Sequence, residues 1–507
     1  MGLDLPIRRA GRLDRFARRR PRRDALADAV ERVIHQPPAE HDAVVLPLVE
    51  GRIPESVRGT LYRNGPARFQ VGAHRYRHLF DGDGMVTRFH VGGSGVRYTN
   101  RFVRTRESVA EQEAGRGLYR SFGTNRPGGP LQSAFRVRFK NTANTSVCHH
   151  GGELLALWEG GLPHALDPVT LRTLGRHDFH GTLQPASAFD RALGLEPAFS
   201  AHPRRDPQTG ILWGFGLQLG LDPLLRLYAV PPHGRLEEVR RLRLPELSFI
   251  HDFALTERYA VFFVPRVRFD VARLLAGTGT AIDSLHRGEG GGQLLVLPRD
   301  PNEPPRWLPA PAGFVYHVLN GFERTAGQLV LDVLHMPDYP AAQFQLDRPS
   351  ALLRGEIPPA VPHRLQVDLE RGTLRSEPLV DSVMELPAIP ATQAGRPYRT
   401  AWTVTASTGP EPTFTAIGRL DVERRTLQRR DLWPLIPSEP VHVPDPGGAP
   451  ESGWLWVLCF HADRKRSFLL LLDATTLQTV ATLALPHTIP PSLHGTWVGG
   501  GPVRATD

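Results

Sequence analysis

Leu365-Gln-Val-Asp-Leu-Glu-Arg-Gly-Thr-Leu374 reads as one short strand that ends on Asp368, turns through polar residues and restarts at Leu374. The same form returns at Arg419-Leu-Asp-Val-Glu-Arg-Arg-Thr-Leu427 and at Leu472-Asp-Ala-Thr-Thr-Leu477, its aspartates 53 and 52 residues apart. An earlier copy stands at Leu166-Asp-Pro-Val-Thr-Leu171. Strand pairs recurring at about 50 residues are the mark of propeller blades. Outward from these hairpins, the chain from residue 40 onward consists of short apolar runs separated by turn residues. Helical periodicity is scarce, with Phe269–Ala276 the clearest internal exception. Gly and Pro together form 19% of the 507 residues, an excess that favours turns over long helices. Tandem sandwiches are the rival fold, but no linker divides the chain. The expectation is an all-β fold, a single β-propeller over residues 37–507.

Charge is distributed unevenly. The formal net charge is +9, and nine arginines fall within residues 1–23, against Asp4 and Asp14. The remaining body is close to neutral, which disfavours a nucleic-acid-binding face, since phosphate affinity needs concentrated positive charge. Residues 1–23 are expected to be a disordered, solvated arm. Asp24 then caps a short helix over 24–36, with Leu26, Val30, Val33 and Ile34 on one face and Pro37-Pro38 as its stop. The arm is either a contact for anionic lipid headgroups or a plain solvated tail beside a strut helix. Two cysteines, Cys148 and Cys459, provide neither a disulfide framework nor a thiolate metal site. No apolar run approaches the roughly 20 residues that span a bilayer. Arg8-Arg9 lacks a following apolar segment, and Pro6 occupies the place where a myristoylation motif wants Ser or Thr. A cytoplasmic protein is expected.

Among 21 histidines, an isolated one is more often structural than ligating. His149-His150 are adjacent and ill-placed to share a metal, and no His-Glu-x-x-His helix exists. Four others, His202, His251, His317 and His494, each lie beside an apolar strand-like run in a different expected blade. Inner strands of a propeller converge on one axis, where residues remote in sequence can meet.

The ordered motifs Gly59-Thr-Leu-Tyr-Arg-Asn-Gly-Pro66, His78-Leu-Phe-Asp-Gly-Asp-Gly-Met85, Asn141-Thr-Ala-Asn-Thr-Ser146, Leu157-Trp-Glu-Gly-Gly161, Ser200-Ala-His-Pro203, Phe249-Ile-His-Asp-Phe253, Gly395-Arg-Pro-Tyr398 and Ser438-Glu-Pro-Val441 resemble those of the carotenoid cleavage oxygenases over residues 40–500. The resemblance implies a seven-bladed propeller with a cap of loops and short helices over the active-site face. It implies one Fe(II) held by His202, His251, His317 and His494, with O2 as co-substrate. Glu159, Glu385 and Glu439 match the glutamates that accept the distal N–H of ligand histidines. Thr145 matches a position beside the open coordination site, and Trp158 and Tyr316 match aromatic walls for a polyene.

Within the family, Arg120-Ser-Phe-Gly-Thr124 and Val296-Leu-Pro-Arg-Asp300 look most like the cyanobacterial apocarotenoid-cleaving branch. That likeness implies cleavage at the 15,15′ double bond to give retinal. Two departures exist: Val318 stands where that branch has a second histidine, and residues 180–198 carry extra length. The alternative is a stilbene-cleaving oxygenase, whose phenol-binding Lys and Tyr correspond here to Trp158 and Asn125. An isomerohydrolase and a metal-free binding scaffold are the other classes. The expected partners are an apolar polyene and a membrane surface contacted peripherally through Pro127–Phe139 (Leu131, Phe135, Val137, Phe139, with Arg136 and Arg138 interleaved), or through Leu221–Leu227. Pro127–Phe139 also fits an ordinary half-buried strand. No nucleic acid or obligate protein partner is expected.

Overall fold

Each aspartate of the repeated hairpin performs the same task. Asp368 Oδ1 accepts the backbone N–H groups of Glu370 and Arg371 at 3.0 and 2.9 Å. Asp473 does so for Thr475 and Thr476 at 3.0 and 2.7 Å, and Asp167 for Val169 and Thr170 at 3.0 and 2.7 Å. Four residues after each aspartate the backbone turns left-handed, at Gly372, Leu477 and Leu171 (φ +64°, +61° and +60°). The carboxylate closes the turn by satisfying donors that no strand partner reaches. A further copy at Asp206, bonded to Gln208 N at 3.0 Å, restarts at Ile211 rather than Leu.

The computed structural model describes residues 21–136, 138–192, 195–218, 223–339, 346, 359–409 and 412–500. Seven antiparallel sheets form the seven blades of a propeller. Blade 1 takes its innermost strand, His494–Gly499, from the C-terminus and pairs it with Gly59–Arg68. Blade 7 takes its outermost strand, Leu48–Gly51, from the N-terminus and pairs it with Thr479–Ala484. The ring is thus closed twice, by exchange of strands between the two ends of the chain. The core lies between blades: Val261 and Leu294 of blade 4 pack with Val333 and Leu365 of blade 5, and Trp402 and Val404 of blade 6 with Leu455 and Val457 of blade 7.

Among the described residues, five short α-helices interrupt this pattern: α1 Arg22–His35, α2 Arg106–Ala114, α3 Pro130–Ser133, α4 Ala188–Ala192 and α5 Val271–Leu275. The N-terminal helix starts two residues earlier than its sequence implied. Pro21 occupies the cap position with no side-chain cap, so Asp24 lies in the first turn. Its apolar face, Leu26 and Val33, packs on Ile436 and Phe460 of blade 7. The arm before residue 21 lies outside the described residues. The Phe269–Ala276 helix shortens to α5, because Asp270 caps it by accepting Arg273 N at 2.8 Å and Phe269 ends a strand. The Pro127–Phe139 segment is not a strand; it carries α3. Of the Leu221–Leu227 candidate, Leu225 and Leu227 are wholly buried in blade 3, and Leu221 lies outside the described residues. Among the described residues, no helix is long and apolar enough to cross a membrane.

Candidate active site

The propeller axis collects one residue from every blade. His494 opens the inner strand of blade 1. Glu159 follows the blade 2 strand Glu153–Leu157. His202 and His251 lie two and three residues before the inner strands of blades 3 and 4, Arg204–Arg205 and Ala254–Leu255. His317 sits within Phe314–Thr325 of blade 5, Glu385 within Met384–Ala388 of blade 6, and Glu439 between Leu435–Pro437 and Val441–Pro444 of blade 7.

One nitrogen from each of His202, His251, His317 and His494 lies within 4.8 Å of the others. His202 Nε2 and His251 Nε2 are 2.9 Å apart, and His317 Nε2 and His494 Nε2 3.3 Å. The outward nitrogens meet carboxylates: His251 Nδ1 donates to Glu159 Oε2 at 2.6 Å, His494 Nδ1 to Glu439 Oε1 at 2.8 Å, and His317 Nδ1 to Glu385 Oε2. A proton fixed on Nδ1 leaves a lone pair on Nε2 directed inward. Burial, reinforced by the neighbouring rings, pushes His202 well below the ordinary histidine range. Burial also outweighs the Glu439 carboxylate and lowers His494. At His317 the balance reverses, and Glu385 overcomes burial to raise it.

Converging lone pairs repel one another unless a cation sits between them. Metal–imidazole bonds of about 2.1 Å place adjacent ligand nitrogens about 3.0 Å apart, close to the spacings observed. The donor set therefore fits a divalent transition metal. Nitrogen donors without thiolate or carboxylate in direct contact suit iron, copper, nickel or zinc.

His251, His317 and His494 border a cavity of about 1730 Å³ lined largely by apolar and aromatic side chains, among them Phe80, Phe122, Phe249, Trp158 and Tyr316. Phe249 stacks with Phe122 and with Phe314, both at 5.8 Å between ring centroids, and Tyr316 meets His251 edge-on at 5.3 Å. Gly160 makes room for the indole of Trp158, since a Cβ there would come within 2.7 Å of it. Thr145 borders the cavity. Its hydroxyl donates to Asn144 Oδ1 at 3.1 Å, which leaves its methyl as the group free to face the cavity.

The long 180–198 segment also borders the cavity, through Pro185, Ser187, Leu195 and Pro197. So does α1, through Leu26, Val30, Val33 and Ile34, a role its amphipathic pattern alone did not reveal. Asn125 is turned to other work, accepting from Arg120 Nε at 3.0 Å and donating to Gly277 O at 3.3 Å. Lys140 is sequestered between Asp83 and Glu111, at 2.7 and 2.8 Å. Val318 is buried in the core between blades 4 and 5. One supporting residue was not visible in the sequence. Arg63, wholly buried, donates to Glu439 O at 2.6 Å, Ser492 Oγ at 2.7 Å and Leu493 O at 3.2 Å. It braces the backbone that carries Glu439 and His494, but burial of an arginine leaves no mark in sequence.

Known proteins resemble this chain over most of its length. The family model described as retinal pigment epithelial membrane protein matches residues 34–499. An apocarotenoid-15,15′-oxygenase of Synechocystis is 38% identical over 464 residues, covering 89% of this chain and 92% of its own. An isoeugenol monooxygenase of Pseudomonas nitroreducens is 31% identical, covering 89% and 94%. The crystal structure of the cobalt-substituted Synechocystis oxygenase superposes with a TM-score of 0.86 at 35% identity, covering 94% of this chain and 99% of that one.

Proposed function

The chain belongs to the retinal pigment epithelial membrane protein family, that of the carotenoid oxygenases, and from that premise we propose that it is a non-haem Fe(II) oxygenase cleaving an apocarotenoid at its 15,15′ double bond, with retinal as one product. The observation that carries this reading is a cluster of four imidazole nitrogens, three of whose histidines open onto a cavity of about 1730 Å³ with apolar and aromatic walls. A rod-shaped apolar substrate needs such a cavity, with few polar groups to desolvate.

The overall change joins one alkene and one O2 to give two carbonyl groups, which balances both oxygen atoms. Iron, when bound, supplies the oxygen chemistry that side chains lack. The chain supplies position. His202, His251, His317 and His494 hold the metal through Nε2, and Glu159, Glu385 and Glu439 hold the Nδ1 protons of three of them. Trp158, Phe249 and Tyr316 fix the polyene laterally, the methyl of Thr145 narrows the approach to the metal, and the apolar walls exclude water. Phenolic alkenes fit less well, because Trp158 and Asn125 offer neither a cation nor a phenol partner.

Loading of a polyene from a membrane suits the small apolar platform formed by Leu131 and Phe135 beside Val271, which are 91%, 79% and 45% exposed. Phe135 N donates to Leu275 O at 2.8 Å and ties the segment after α3 to α5. Exposed Arg136 and Arg273 flank it, as a peripheral contact with anionic lipid requires. Flotation with anionic vesicles should carry the wild type and lose Phe135→Asp; equal flotation of both overturns the contact.

The deciding experiment supplies Fe(II), O2 and β-apo-8′-carotenal and separates products by chromatography. Retinal is expected, and His251→Ala should abolish both iron binding and product. Products from isoeugenol or resveratrol, with none from the apocarotenal, would move the assignment to phenolic alkenes.

A further inference from the structure

His202 is the one histidine of the four with no glutamate among its described partners. Three of its counterparts have their ring orientation set by Glu159, Glu385 and Glu439, so something else must hold the fourth. A buried ring of polar contacts lies beside it. Arg204, two residues after His202, donates through one NH2 group to Asp252 Oδ2 at 2.5 Å and to Val318 O at 2.9 Å. Asp252, which directly follows His251, also accepts Val318 N at 2.8 Å through the same oxygen and Phe253 N at 2.8 Å through the other. Val318 directly follows His317. A single ion pair thereby ties the backbones that carry three of the four histidines, across blades 3, 4 and 5. On its other side the His202 segment is held by Ser146 of blade 2, whose hydroxyl donates to Ala201 O at 2.5 Å.

The charges are not there for stability alone. The Asp252 side chain is 1% exposed and that of Arg204 25%. Burying such a pair is costly and contributes little over apolar packing unless its geometry is used for something. Here each hydrogen bond lands within two residues of a site histidine, and an Asp–Arg pair is rigid enough to fix the spacing between neighbouring inner strands.

We infer that Arg204 and Asp252 are positioning residues that set the direction of His202 and the spacing of His202, His251 and His317, in place of the missing fourth glutamate. The inference rests on the metal reading above and adds to it a pair that touches neither metal nor substrate. Its consequence is specific. Loss of either member should loosen the geometry of the metal site and not only the stability of the fold.

Co(II) is the probe, because its ligand-field absorption reports coordination geometry without turnover. Arg204→Ala and Asp252→Asn are expected to weaken Co(II) binding by roughly 10–100-fold, as losses of outer hydrogen-bond partners do elsewhere, and to shift the ligand-field bands. Arg204→Lys, which can still donate to both Asp252 and Val318, should restore most of the wild-type spectrum. Asp332→Asn is the control: Asp332 forms a buried pair with Arg364 at 2.8 Å in blade 5, and its described side-chain partners, Arg364 and the Tyr398 hydroxyl, do not lie within two residues of a site histidine. That variant should unfold more easily yet keep the wild-type Co(II) spectrum. If Asp252→Asn fails to fold, Arg204→Ala decides, since its partly exposed side chain is easier to remove. Wild-type Co(II) affinity and bands in Arg204→Ala overturn the inference and leave the metal site standing. An equal spectral shift in Asp332→Asn overturns it as well. A wild type that takes up no Co(II) overturns the metal reading itself.

Discussion

A buried imidazole of the four-histidine cluster and one outside it differ in what their nitrogens meet. His164 is 1% exposed, neither of its ring nitrogens has a hydrogen-bond partner among the described residues, and burial with Arg176 nearby pushes its pKa down to about 4. His251, His317 and His494 are similarly buried, but each presents Nδ1 to a carboxylate. Sequence could not separate these cases by context, because both kinds lie in apolar strands; the ordered family motifs marked the four histidines and three glutamates. Arg63, Arg204 and Asp252 stayed invisible, since nothing local announces that a charged residue is buried. His164 makes a pH prediction. Its folded pKa of about 4 lies below the unfolded value of about 6.5, so between those values the unfolded chain holds a proton that the folded one refuses. Stability should therefore fall as pH drops from 6.5 to 4, by about 3 kcal/mol from this group alone, with no contribution above that window. His164→Leu should lose less of its urea resistance between pH 7.5 and 4.5 than the wild type. Equal acid sensitivity in the two would sink the idea.

The repeated hairpin was the most legible element, because one side chain and a few backbone donors determine it without help from the rest of the fold. Asp167, Asp368, Asp421 and Asp473 were readable for that reason, and the copy at Asp206 was passed over only because Ile211 replaces the leucine. Helices α1 and α5 were less legible at their ends. Pro21 begins α1 where no capping side chain exists, and Asp270 takes from α5 the residues its apolar pattern seemed to claim. The hairpin itself can be tested. Asp473 accepts Thr475 N, Thr476 N and the Thr476 hydroxyl, at 3.0, 2.7 and 2.9 Å, through one oxygen. Asp473→Ala should cost about 1–2 kcal/mol, the range seen when a capping carboxylate is removed. Because the turn joins Ser467–Asp473 to Thr479–Ala484, which are not the blade 7 strands flanking Glu439, the Co(II) spectrum should not change. Unfolding midpoints and the spectrum check the two halves of that statement separately.

At the scale of the molecule, the four-histidine cluster proposed to hold the metal and the closure of the ring are one device. His494 is the first residue of the strand that completes blade 1. It pairs with Asn64, and Gly499, at the other end of the same strand, pairs with Gly59. The first and last thirds of the chain are thus joined at the residue whose Nδ1 is held by Glu439 of blade 7. A repeat near 50 residues revealed that blades exist, but the way the ends interlock was not in that repeat: Leu48–Gly51 and His494–Gly499 complete sheets whose other strands lie at the opposite end of the sequence. A metal bound by the four histidines, as proposed, would stabilise the closed ring over any opened form, by an amount that grows with ligand concentration over its dissociation constant. At 1,000-fold excess this is about 4 kcal/mol. Stripping the metal with a chelator should lower the unfolding temperature, and restoring Fe(II) anaerobically should raise it again. His494→Ala should abolish that response and leave an unfolding temperature that no longer depends on metal, near that of the stripped wild type. His164→Leu should retain the full response, since its imidazole lies in blade 2 and faces no metal. A metal-dependent shift that survives in His494→Ala would show that closure and ligation are separate.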